Sequence, residues 1–168
     1  KNLPAAEALG SIDILCVDKT GTLTKGVMEL VRVDSQKITE MHHALACCNN
    51  ENNYVDQATK KYLLEKEHEQ YFLEKKQLVT QFFPFSSKNK YTAAIVGNSL
   101  YAVGAPEFIM HKGLEIPADA KKTIEAQAKQ GYRVLAVGQK KLHQSPADLV
   151  AGIGREHISE LTFLGLIF

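Results

Sequence analysis

Long hydrophobic runs are missing from this chain: no stretch approaches the ~18 to 20 uninterrupted apolar residues that cross a bilayer, and the opening residues carry no secretory pattern. Nothing in it moves a solute through a membrane by itself. A dominant charge is missing too. Twenty Lys and Arg against 19 Asp and Glu leave a formal net charge of +1, which gives no electrostatic case for nucleic acid or an acidic lipid surface. Cysteine is scarce: Cys16, Cys47 and Cys48 are odd in number, lack metal-ligand spacing, and read as reduced, buried thiols of a cytosolic setting. Internal repeats, low-complexity tracts and charge blocks are absent. What remains is 168 residues with 45% apolar and 23% charged content, enough for one substantial core or two small lobes.

The most informative stretch is Asp18-Lys19-Thr20-Gly21-Thr22-Leu23-Thr24, directly after the apolar run Ile12-Asp13-Ile14-Leu15-Cys16-Val17. The run reads as a buried strand and the motif as the loop at its carboxyl end, where open α/β sheets hold their chemistry. A carboxylate there can attack a γ-phosphorus and carry it as an acyl phosphate, which makes Asp18 the candidate nucleophile. Lys19 adds positive charge, Gly21 lets backbone approach phosphate oxygens, and the Thr20 and Thr22 hydroxyls with nearby N–H groups suit an anion. A Mg2+ is expected on Asp18 and a backbone oxygen at Thr20. The competing reading is a polar surface turn, because Asp, Thr and Gly are ordinary turn formers.

Downstream, Val27 to Val33 is β-branched and partly alternating and predicts a strand, followed by a turn at Ser35 to Lys37. Thr39 is placed to cap a helix reaching Cys48, with Met41, Leu45 and Cys48 on one face and the Asn49 to Asn53 run ending it. His42 and His43 in that helix read as solvent or capping histidines, since no Cys or His lies at ligand spacing. Asp56 reads as the N-cap of a second helix, Gln57 to Glu67, with Ala58, Tyr62 and Leu63 as its core stripe. His68 to Lys76 is either another turn of helix or a loop.

Leu78 to Phe83, Tyr91 to Val96 and Leu100 to Val103, joined by short turns, predict an antiparallel meander. Ala105 to His111 reads as a short helix with Pro106 in its first turn, and Pro117 to Gln130 as a longer one ended by Gly131. Arg133 to Gly138 predicts another strand. Lys140 to Glu160 is ambiguous, with Ser145-Pro146 suggesting a helix start and Gly152 and Gly154 a loop. Leu161 to Phe168 is an apolar strand. In the loop Phe85-Ser86-Ser87-Lys88-Asn89-Lys90, an aromatic face suits a base and ammonium groups suit phosphates. The alternatives there are Phe85 in the core with solvated lysines, and Arg133 as a surface charge at a strand end.

Asp18 to Thr24 resembles the phosphorylation motif of P-type ATPases, ion pumps that pass through an aspartyl phosphate, and Leu3 to Gly10 is similar to the segment entering that motif. Phe85 and Lys90 resemble the family's adenine-stacking aromatic and the lysine five positions later. Ala102-Val103-Gly104-Ala105-Pro106-Glu107 resembles the Lys-Gly-Ala-Pro-Glu motif at the back of the same pocket; Gly104 carries over, but Val103 stands where the family has lysine, so that charge does not. Gly131-Tyr132-Arg133-Val134-Leu135-Ala136 is similar to the segment that puts an arginine near the phosphates and a leucine against the base, here Arg133 and Leu135. Asp56-Gln57-Ala58-Thr59 falls where an acidic residue contacts the adenine amino group, and Gln57 offers an uncharged acceptor for it.

The resemblance implies an α/β (α+β) nucleotide-binding domain, an antiparallel sheet flanked by helices, over residues 26–160. It is inserted into a haloacid-dehalogenase-like phosphorylation domain, of which residues 1–25 and the returning strand 161–168 supply short, incomplete pieces. ATP held by Gln57, Phe85, Lys90, Gly104, Arg133 and Leu135 would deliver its γ-phosphate to Asp18, beside Lys19 and Thr20, with Mg2+ on Asp18 and Thr20, by domain closure. The implied partners are adenine nucleotide and the rest of a pump: its transmembrane, actuator and remaining phosphorylation parts. Nucleic acid is not among them.

The chain is then expected to be a soluble, cytoplasmic excerpt of an integral membrane protein, cut at both ends. It is expected to bind nucleotide without turnover, because the lysine and aspartates that complete the family's site come later than Phe168. Calcium is the first expectation for the transported ion, with magnesium or protons behind. Two other classes stand beside this one. A soluble haloacid-dehalogenase-type phosphatase usually needs a second aspartate as general acid where Thr20 stands. A non-catalytic interaction domain with a decayed pocket would account for Val103 and Gln57.

Overall fold

Period-two alternation on neighbouring strands organises the molecule, described here by a computed structural model over residues 10–110, 116–142 and 160–168. In chain order the elements are β1 (Val33–Asp34), α1 (Ile38–Cys47), α2 (Tyr54–Lys66), α3 (Glu69–Gln77), β2 (Val79–Phe83), β3 (Tyr91–Val96), β4 (Ser99–Gly104), α4 (Pro106–Met110), α5 (Ala118–Lys129), β5 (Leu135–Lys141) and β6 (Thr162–Ile167). The strands form one six-stranded sheet in the order β1-β6-β5-β4-β3-β2, antiparallel throughout.

Ala93, Ile95, Leu100, Ala102, Ala136 and Leu166 project to one face, where Ile109 of α4 and Ile124 of α5 meet them. Ala94, Tyr101, Val137, Leu164 and Ile167 project to the other, against Met41 and Leu45 of α1, Leu63 of α2 and Phe72 of α3. Helices on both faces make an α+β sandwich of three layers. Fully buried side chains such as Phe72, Met41 and Ile95 each stabilise it by roughly 1.5–3 kcal/mol. The expected meander is present: β2, β3 and β4 pair in succession, and Gly97 takes φ 52° in the turn between Val96 and its partner Ser99. Gly131, at φ 87°, closes α5 by donating its N–H to Ala128 O at 3.0 Å.

Several expectations change. Ile12 to Val17 forms no strand: Ile14 is 81% exposed, Leu15 75%, and Cys16 lies open beside them rather than buried. Apolar residues alone do not make a strand; a neighbour must take up its N–H and C=O groups, and among the described residues none runs alongside. The strand expected from Val27 shrinks to Val33–Asp34, because those residues lie opposite Ile167 and Leu166, the last part of β6. Beyond the ladder, Val31 N–H still donates to Phe168 O at 2.8 Å and Phe168 N–H to Arg32 O at 3.0 Å.

Helix α2 begins at Tyr54, three residues before the expected Gln57, because Asn53 caps it in place of Asp56 and accepts the Asp56 N–H at 2.9 Å. His68 to Lys76, left open between helix and loop, is largely α3. Arg133 precedes β5 rather than starting it. Thr162–Ile167 is a strand and hydrogen-bonds into this same sheet, between β1 and β5, with Leu164, Leu166 and Ile167 buried. The helix start expected at Ser145-Pro146, the likeness at Leu3 to Leu9 and the end of the helix expected to reach His111 fall outside the described residues. Among those residues, no helix is long and apolar enough to cross a membrane.

Candidate functional site

A cavity of about 470 Å3 opens where the end of α1 and the start of α2 face the β2–β3 loop and the adjoining ends of β4 and β5. That size lies within the roughly 300–1,000 Å3 of ordinary small-ligand sites. Its walls are apolar at Leu45, Val103, Val134 and Leu135, its rim carries Tyr54 and Phe85, and the exposed cations Lys90 and Arg133 share its lining with Asp56 and Glu107.

Local geometry explains how each group arrives. Pro84 ends the β2 run, and Ser86 then folds the loop: its carbonyl accepts the N–H groups of Asn89 and Lys90 at 3.2 and 2.8 Å, and its hydroxyl accepts Asn89 N–H at 3.0 Å. Phe85 is left 50% exposed on the rim, so the reading that buries it in the core fails. After α5, Tyr132 N–H returns to Gln127 O at 3.1 Å, and the chain enters β5 with Arg133 and Leu135 on the cavity wall. Gly104 closes β4 opposite Tyr91.

Asp56 is the acidic group that sequence reasoning assigned only to capping. It is 6% exposed on the cavity wall, and its Oδ2 accepts Asn53 Nδ2–H at 2.9 Å and Asn50 N–H at 3.4 Å. Burial pushes its carboxyl above the usual range, and those donors pull the other way. Gln57, the expected acceptor, lies elsewhere: exposed, beside Glu51, Lys60 and Lys61 on a different face of α2. Consecutive helix residues diverge by about 100°, so a one-residue difference decides which side chain meets the cavity. Asn53, three residues before Asp56 and accepting its backbone N–H, is an N-cap, and that spacing was the available signal. Tyr54, Thr59 and Thr92, also on the wall, were not singled out from the sequence.

The phosphorylation-motif residues stand apart from this cavity. Lys19–Leu23 makes a π-helical turn in which Thr24 N–H donates to Lys19 O at 3.1 Å, with Gly21 at φ 86°. Asp18 and Lys19 are exposed, and neither lines the cavity. The structure thus gathers Phe85, Lys90, Gly104, Arg133 and Leu135 in one place and leaves Asp18 and Lys19 outside it. One carboxylate with a backbone oxygen suits Mg2+ only as part of its shell, since that ion keeps waters and takes phosphate oxygens. No group of three metal-ligating side chains occurs among the described residues.

The paired histidines are not solvent groups. His42 is buried, with Nδ1 2.8 Å from Glu67 Oε1 and Nε2 3.3 Å from the Tyr62 hydroxyl. His43 packs its ring 5.2 Å from that of Tyr101, and burial followed by the Lys75 charge lowers its pKa. Both serve the packing of α1.

No protein-family model matches the chain. Curated relatives do. A probable cation-transporting P-type ATPase of Mycoplasma genitalium is 30% identical over 99% of this chain and 21% of its own length. A plasma membrane ATPase of Kluyveromyces lactis is 32% identical over 84% of the chain and 18% of its own length. A probable manganese-transporting ATPase of Arabidopsis thaliana is 28% identical over 93% of the chain and 16% of its own length. An antiparallel six-stranded sheet with helices on both faces is an α+β fold consistent with the nucleotide-binding domain of ion-pumping ATPases. The chain belongs to the P-type ATPases and spans about a fifth, or less, of the length of these relatives.

Proposed function

We propose that this chain is the ATP-binding part of a cation-transporting P-type ATPase. The observation that carries the reading is the convergence of Phe85, Lys90, Gly104, Arg133 and Leu135, from distant points of the sequence, on one cavity of about 470 Å3. In this reading the adenine ring stacks on Phe85 and lies against Leu135, and its amino group donates to Asp56, the acceptor that takes the place of Gln57. Lys90 and Arg133 draw the phosphates to the rim, without the further charge that a lysine in place of Val103 would add.

Asp18 is the nucleophile of the intact pump. Its carboxylate oxygen forms a bond to the γ-phosphorus, the bond to the bridging oxygen breaks, and ADP leaves with the electron pair. Asp18 is outside the cavity, so transfer needs a closure that brings the two together. Mg2+ held by Asp18, the Thr20 backbone and phosphate oxygens would neutralise developing charge. Lys19 adds a cation beside it.

The names of the relatives support a transported cation, and one of them specifies manganese. Calcium is the first ion to test for the whole protein, with magnesium and protons next; the location of this part is the cytoplasmic side, where ATP is. Adenine nucleotide and the remainder of the pump are its partners.

Titration of the chain with ATP and ADP, with and without Mg2+, by calorimetry tests the reading. Binding that weakens by about 1–3 kcal/mol in Phe85→Ala, the usual worth of one stacked base, supports it. No binding at millimolar ATP overturns it.

A further inference from the structure

We infer that Gly104 is a positioning residue for Lys90: its missing side chain seats the backbone from which the Lys90 ammonium reaches the cavity, instead of clearing room for a bound ring. The inference rests on the nucleotide reading above.

Lys90 has φ 60°, a left-handed conformation that residues with a side chain seldom adopt unless their surroundings impose it. Two hydrogen bonds impose it here. Its N–H donates to Ser86 O at 2.8 Å, and its C=O accepts the N–H of Ala105, the residue after Gly104, at 3.0 Å. Gly104 lies directly opposite Tyr91 in the β3–β4 ladder. A Cβ built on Gly104 would stand 2.5 Å from Tyr91 Cβ, 2.6 Å from Lys90 O and 2.8 Å from Tyr91 Cα. All three of these nearest atoms belong to Lys90 or Tyr91.

None is the free end of a flexible side chain, so a methyl group at 104 displaces backbone. Tyr91 is buried in the core and yields little. The displacement therefore falls on the Lys90 carbonyl, the hydrogen bond from Ala105 and the αL turn that aims the side chain. Lys90 and Gly104 both line the cavity, so the loss appears there as a misdirected cation. A base-clearing glycine and a lysine-positioning glycine make different demands on the ligand. The first matters to any adenine compound; the second matters to phosphates.

The test compares ATP with adenosine on the wild-type chain, Gly104→Ala, Lys90→Ala and the double variant. Gly104→Ala and Lys90→Ala should each weaken ATP about tenfold, as loss of one charge-assisted contact does, and adenosine far less. The double variant should bind ATP no more weakly than either single one, because both changes remove the same interaction. Equal losses for adenosine and ATP in Gly104→Ala, or effects that add in the double variant, overturn the inference. A wild-type chain that binds neither ligand sinks the nucleotide reading itself, and this inference with it. If Gly104→Ala loses its folded amide dispersion, the wild-type chain decides by NMR: ATP should shift the Lys90 amide and adenosine leave it in place, whereas equal shifts overturn the inference.

Discussion

Cys47 and Cys48 end the first helix side by side, yet neither behaves as a surface thiol. Burial pushes Cys47 up to about 12 and Cys48 well above its ordinary value, so both remain protonated at neutral pH. Cys16 sits on the open Ile12 to Val17 run and is exposed. The native chain should therefore react at one thiol with an aromatic disulfide reagent and expose the other two only in denaturant; three fast thiols would mean that α1 is not packed as described. At this scale the sequence was legible wherever a residue type has one chemistry. An aromatic and a lysine in one loop, an arginine and a leucine after a helix-ending glycine, all reached the cavity. Gln57 was misread because a side chain's direction depends on where its helix begins. Asn53 sets that start, and a reading that placed the cap at Asp56 turned Gln57 rather than Asp56 toward the cavity.

Helices with strong caps and strands joined by short turns could be read directly, since their signals are local. The β2-β3-β4 meander and α5 between Pro117 and Gly131 are of that kind. Strands that depend on distant partners could not. Val27 to Val33 and Ile12 to Val17 are both apolar enough, but only Val33–Asp34 finds a ladder. The β1–β6 contact is tight at Gly165, where an added Cβ would collide with Asp34 O and stand 2.8 Å from Ser35 Cβ. Ser35 Oγ, which donates to Leu164 O at 2.6 Å, leaves β1 little freedom to retreat. Gly165→Ala should thus destabilise the fold by about 1–3 kcal/mol, the usual cost of overpacking, measured by urea unfolding. An unchanged midpoint would show that β1 is free to move off the sheet.

For the whole molecule, the separation of Asp18 from the cavity has a kinetic meaning. A nucleophile outside the site gains nothing from the effective concentration that a bound nucleotide offers. The chain should bind ATP and acquire no hydroxylamine-sensitive label from γ-labelled ATP, while Asp18→Asn leaves nucleotide affinity unchanged; a label present in the wild type and lost in Asp18→Asn would contradict this. Strand order was the least legible property, because β6 enters between β1 and β5 from far along the sequence. That same insertion makes residues 31 and 168 hydrogen-bonded neighbours, with 2.8 Å between Val31 N and Phe168 O. Everything between them begins and ends at one point. To any polypeptide continuing on both sides, this body occupies no more of the chain's path than a tight turn, and the fold itself has already met the entropy of closing so long a loop.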